Sequence, residues 1–160
     1  MKQNFSIKFI KLLLILTMLF CVVMLFFYST AGLFAPEELY GNIIDILVAI
    51  IIVAIYIIIA CNLLKIVFSM DSTPFSLKNV KSFKIIGYLM VLLSLIDALD
   101  SIINFKKLDD IVALGIMLED GIIGIRPTCI LYLVLGIMAL VLAEIFKKAV
   151  KIKNENDLTI

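Results

Sequence analysis

Histidine is absent from this chain of 160 residues. Its absence removes Ser-His and Cys-His nucleophilic catalysis, imidazole metal ligands and the commonest proton shuttle. Cysteine is scarce. Cys21, Cys61 and Cys129 lie in three different apolar segments and form neither a CxxC pair nor a disulfide framework. They read as small packing residues. Charge is scarce too: Asp, Glu, Lys and Arg make up 17% of the chain, with a net charge of +1. No phosphate-binding glycine loop is present, and Gly121-Ile122-Ile123-Gly124 is no more than a turn signal. Intramembrane aspartyl proteolysis needs acids converging from two helices, whereas the two candidates, Asp97 and Asp100, share one segment. An enzyme is therefore not expected, and neither is a cofactor or a metal.

Apolar sequence takes the place of chemistry. Hydrophobic residues make up 64% of the chain and the mean hydropathy is +1.20, far above a soluble domain. The most telling stretch is Ile43 to Leu64, whose 22 residues carry one charge, Asp45. As a helix it reaches about 33 Å, enough to cross a bilayer core. With three further segments of similar character it takes up about half the chain. The expected fold is all-α: one domain, residues 1–160, forming an integral membrane bundle of four transmembrane helices at 12–28, 43–64, 85–104 and 128–146.

Lys2, Lys8 and Lys11 precede the first span with no acid among them, a pattern shared with signal peptides. Ser29-Thr30-Ala31 supplies small residues at a cleavage position. The apolar run of 17 residues is nevertheless long for a signal peptide, and an uncleaved first helix is the expectation. The connection after it contains Pro36, Glu37 and Glu38, which suit the first turn of a short surface helix. In the loop 65–84, Asp71-Ser72-Thr73-Pro74 reads as a helix start with proline at the first helical position. A basic amphipathic turn bearing Lys78, Lys81 and Lys84 is expected to follow, to lie at the membrane surface and to lead straight into the third helix. The third connection, 105–126, holds the eight-residue apolar piece Ile111–Leu118, too short to span as a helix and expected to be interfacial or packed. Pro127 opens the fourth helix, and a charged tail, 147–160, closes the chain.

Lysine and arginine set the orientation. The N-terminus, the 65–84 loop and the tail hold 11 of the 14, against 3 in the other two connections. The positive-inside rule then places both termini and the 65–84 loop in the cytoplasm of a multi-pass cell-membrane protein. The opposite side is acidic.

The sharpest polar feature is a stripe on the third helix. Ser94, Asp97, Ser101 and Asn104 recur on one face, with Asp100 beside them. A charge in hydrocarbon costs on the order of 3 kcal/mol, so this face meets either the bundle interior or water. Two readings stand: a polar pocket for a cation, proton or ligand, neutralised by Lys106, Lys107 or Arg126, or a short helix whose last turns already sit among headgroups. On the basic side, Pro74, Phe75, Asn79, Lys81, Lys148, Lys151, Asp157, Leu158 and Ile160 form a candidate partner surface. The plain role of its lysines is topology and contact with anionic lipid, and Glu144 pairs with Lys147 and Lys148 along its own helix.

The segment Pro74-Phe75-Ser76-Leu77-Lys78-Asn79-Val80-Lys81, followed by Ile85-Ile86-Gly87, resembles the loop-to-helix signature of domain-of-unknown-function family 2975. Leu142-Ala143-Glu144-Ile145-Phe146-Lys147-Lys148 and Asn154 to Ile160 match its C-terminal end. Ala149 stands where the family leads one to expect glycine, and Ser82-Phe83 is less basic than usual. The resemblance implies a small bacterial four-helix membrane protein with no established activity. It also implies pairing with a cytosolic helix-turn-helix transcription regulator.

The leading functional expectation is thus a non-enzymatic sensor or regulator that binds or sequesters that regulator. Besides the lipid bilayer and this partner, a homo-oligomer is open to the chain, and no direct nucleic acid contact is expected. The alternative is a small transporter, or an immunity or stress-protection protein that uses the acidic stripe. A subunit serving assembly alone is the third.

Overall fold

The computed structural model describes residues 2–34, 43–70, 74–103, 114–118 and 121–157. Four long helices and one hairpin follow in order: α1 (Lys2–Phe34), α2 (Ile43–Ser69), α3 (Leu77–Ile103), β1 (Leu114–Leu118), β2 (Gly121–Ile125) and α4 (Pro127–Asp157). In lipid every backbone N–H and C=O must be satisfied within the protein, so unbroken apolar sequence free of proline becomes helix. All four helices are long and apolar enough to cross a membrane, over Ser6–Thr30, Ile46–Ser69, Leu77–Ile102 and Pro127–Asn156. This is the layout of a multi-pass membrane protein.

The helices are longer than hydropathy alone suggests. The basic turn at 77–84 runs without a break into the span and forms the first two turns of α3. The tail is α4 itself as far as Asp157, because its Lys, Ala and Glu residues favour helix. A Lys151–Glu155 ion pair of 3.6 Å lies along it. At 31 residues α4 reaches about 46 Å, well past a ~30 Å hydrocarbon core. Between α3 and α4, β1 and β2 pair antiparallel, with Leu114 opposite Ile125 and Leu118 opposite Gly121. The expected interfacial piece 111–118 thus supplies a strand. The acidic segment around Pro36 and the residues Lys106, Lys107, Asp109 and Asp110 lie outside the described residues.

The main contacts join successive helices: α1 to α2, α2 to α3, and α3 to α4. Ile55, Ile59 and Ile66 of α2, Ile86 and Leu93 of α3 and Ala139 of α4 form the core. Most other apolar side chains face outward; Leu16 is 65% exposed and Phe26 71%. Exposed apolar surface on this scale suits lipid rather than water.

The α3–α4 contact is the tightest and has a simple rule. Every seventh residue is buried: Val80, Gly87, Ser94 and Ser101 on α3, and Cys129, Gly136, Ala143 and Val150 on α4. Gly87 sits opposite Gly136 and Ser94 opposite Cys129, so the helices step by seven in opposite directions. A seven-residue period keeps one face in register along two helices that wrap gently left-handed. Small residues let the backbones approach, which in lipid replaces hydrophobic driving force with close packing.

At the lysine-rich end the α2–α3 corner is built around Asn79. Helix α3 starts three residues later than Pro74, and Ser76 is its cap. The Asn79 N–H points at Ser76 Oγ at 3.4 Å and at the Ser76 carbonyl at 3.1 Å. The Asn79 side-chain amide donates to Ser69 Oγ at 2.6 Å and to the Pro74 carbonyl at 2.7 Å. It is only 3% exposed. Asn79, expected on a partner surface, is therefore a structural clip. Asn79→Ala is expected to cost about 1–3 kcal/mol by stranding both acceptors, measured as a lowered thermal midpoint in detergent. Exposed Lys81→Ala should leave the midpoint unchanged.

Candidate functional site

The opposite end of the α3–α4 pair carries the polar stripe. Strand β2 ends at Ile125 and Pro127 opens α4, so Arg126 stands at the junction, facing the last turns of α3. Proline at the first helical position loses no hydrogen bond, and the Cys129 N–H bonds the Arg126 carbonyl at 3.0 Å. The Arg126 guanidinium is fixed over both acids of α3. Its Nη1 donates to Asp100 Oδ2 at 2.6 Å and approaches Asp97 Oδ1 at 3.5 Å. Asp97 is reached from its other side by the Thr128 hydroxyl, which donates to Oδ2. Side-chain exposure is 17% for Asp97, 27% for Arg126 and 41% for Asp100. Arg126 Nε is buried and has no acceptor among the described residues.

One turn deeper the helices are stitched by Ser94 and Cys129. The Ser94 hydroxyl donates to the Cys129 carbonyl at 2.9 Å, and the Cys129 thiol to the Ser94 carbonyl at 3.3 Å. Tyr56 of α2 and Tyr132 of α4 share a hydrogen bond of 2.6 Å between their hydroxyls. Polar groups thus tie α4 to both α2 and α3 on this half of the bundle.

The stripe is not a single open face. Ser94 is in the seam. Ser101 is fully buried and donates to the Asp97 carbonyl at 2.7 Å on its own helix. Asp97 and Asp100 meet Arg126, and Asn104 lies outside the described residues. Chemically this is a clamp: one cation bridges two carboxylates and holds the start of α4 on the end of α3. Among the described residues no three His, Cys, Asp or Glu side chains group as metal ligands. Arg126 was among the cations the sequence offered for the acids. Thr128, Tyr56 and Tyr132 were not foreseen: Tyr56 and Tyr132 lie inside apolar runs, and Thr128 follows the proline that opens α4. The seven-residue spacing of Cys129, Gly136 and Ala143 against Gly87, Ser94 and Ser101 was the available signal.

At the basic end, the two halves of the candidate partner surface adjoin. The Phe146 ring packs on Phe83 at 5.0 Å and on Phe75 at 5.8 Å, and Lys84 pairs with Glu144 at 3.0 Å. Pro74, Phe75, Lys81, Lys148 and Lys151 are exposed and Asp157 closes α4, while Leu158 and Ile160 lie outside the described residues. On the same side Lys11 of α1 sits 4.8 Å over the Phe68 ring.

No curated protein and no solved structure matches this chain. The family model described as Protein of unknown function (DUF2975) matches residues 46–160, which take in nearly all of α2 and everything after it, so the chain belongs to that family.

Proposed function

We propose that the protein is a non-enzymatic membrane regulator in which α4 carries the state of the Arg126 clamp to a cytosolic protein. The observation behind this is the continuity of α4. One helix runs from Pro127, beside the clamp, to Asp157, beyond the span. A stimulus that favours the open clamp over the closed one would change how α4 lies on α3, and only such a difference in affinity shifts the balance. In this reading both termini and the 65–84 loop are cytoplasmic. The partner is a helix-turn-helix transcription regulator, as the family resemblance implies. It would meet Lys147, Lys148, Lys151 and Lys153 with an acidic face, leaving its basic DNA-binding face for DNA. Transport or immunity through free outer acids is less well supported, because Arg126 already engages both carboxylates.

The test is a crosslinked pull-down from native membranes. It compares the full chain with a version ending at Lys153 and with one carrying Gln at 147, 148, 151 and 153. Lysines 65, 78, 81 and 84 stay to hold the topology. Loss of four exposed pairs is expected to lower recovery of a DNA-binding regulator about tenfold. Equal recovery with all three, or none with the full chain, defeats the proposal.

A further inference from the structure

A groove of about 410 Å³ runs along α4, lined by Ile137, Leu140, Val141, Glu144, Ile145 and Lys148. These positions recur at three- and four-residue steps, so they form one stripe on the helix. From Ile137 to Lys148 the stripe is about 16 Å long. Its walls are apolar toward the middle of the span and charged at the basic end. There Glu144 is taken up by Lys84 at 3.0 Å and Lys147 at 3.8 Å. Lys148 forms no salt bridge among the described residues.

We propose that this groove holds an anionic phospholipid, one acyl chain along Ile137 to Val141 and the phosphate on Lys148. The polarity runs the right way, apolar toward the bilayer centre and cationic at the headgroup level. Three lysines against one glutamate leave the site positive, so it selects negative lipid. A zwitterionic lipid gains less, because the carboxylate its amine would seek is already paired twice. A second copy fits poorly. A twofold axis along the membrane normal would set the lysine-rich ends of the two copies side by side. The assignment does not need the regulator reading, although the two share Lys147 and Lys148.

The test is native mass spectrometry of the full chain, released from a neutral detergent with equal phosphatidylglycerol and phosphatidylcholine. Phosphatidylglycerol is expected as the retained adduct. K148Q should reduce it about fivefold, the effect of one lysine near an anionic surface. V141F should reduce it as well, by filling the groove at a position already 53% exposed, where the larger apolar side chain does not disturb the core. K153Q, on the projecting end of α4, should leave it unchanged. Equal retention of the two lipids, or equal loss in K153Q, would overturn the assignment to a built site. A dimer that survives without lipid and disappears in V141F would overturn it in favour of a second copy.

Discussion

Gly136→Ile is expected to be among the most damaging single substitutions in the chain, lowering stability by about 3 kcal/mol. A Cβ at 136 would sit 2.9 Å from Val91 Cγ2, 3.0 Å from the Gly87 carbonyl oxygen and 3.1 Å from Val91 N. Two of these three neighbours are α3 backbone and cannot rotate away. Relief requires the helices to separate, which loosens Ala143 on Val80 and Cys129 on Ser94 together. Gly136→Ala sets two effects against each other. It meets the same backbone, at about 1–3 kcal/mol of overpacking, but gains about 1 kcal/mol of helix propensity. The net expectation is a loss of up to about 2 kcal/mol. Gly87→Ala meets the Leu140 side chain at 2.6 and 2.7 Å and the Gly136 carbonyl oxygen at 3.0 Å. The nearest of these atoms is Leu140 Cγ, the branch carbon rather than the free end of the side chain, so the alanine at 87 should be the more damaging of the two. Thermal unfolding in one detergent, with lipid-facing Val134→Ala as control, ranks the four. A Gly136→Ile midpoint equal to that of Val134→Ala would mean that the helices do not meet where the seam places them.

The seam also shows where the sequence was legible and where it was not. The spans were plain in Ile43 to Leu64, because lipid solvation writes itself as an unbroken apolar run. Helix ends were not, because Lys78, Lys81, Lys147 and Lys151 look like loop by hydropathy and helix by propensity, and propensity prevailed once a span was there to extend. The stripe Ser94, Asp97, Ser101 was visible as periodicity, but its meaning depended on what faced it. Ser94 belongs with Gly87 in the seam, Ser101 bonds back to its own helix, and Asp97 and Asp100 reach the cation. Asn79 looked like one more polar residue among lysines. Its partners Ser69 and Pro74 lie ten and five positions away and reach it only because the chain doubles back. The hairpin was hidden because Leu114–Leu118 and Gly121–Ile125 lack polar alternation, the signal that marks a half-wet strand.

Arg126→Met should cost more than removal of either acid, and the order is the informative result. With the guanidinium gone, Asp97 and Asp100 keep their negative charges one turn apart on α3 and lose the cation that bridges them. A fully buried pair broken in this way loses about 3–5 kcal/mol, and partial exposure here lowers the expectation to about 2–3 kcal/mol. Asp97→Asn leaves Arg126 on Asp100 at 2.6 Å and keeps an acceptor for Thr128, so about 1 kcal/mol is expected. The triple variant R126M/D97N/D100N removes the charges together. It should recover most of what R126M loses, because an ion pair in a low-dielectric site adds little net stability over a neutral one. Thermal midpoints of R126M, D97N/D100N and the triple variant close the cycle. Additive losses would mean that Arg126 and the acids act separately and that α4 is not clamped. Recovery in the triple variant would also give the regulator reading its sharpest instrument: a protein as stable as the original with its clamp permanently neutral. In that protein, partner recovery at the far end of α4 should no longer respond to whatever opens the clamp.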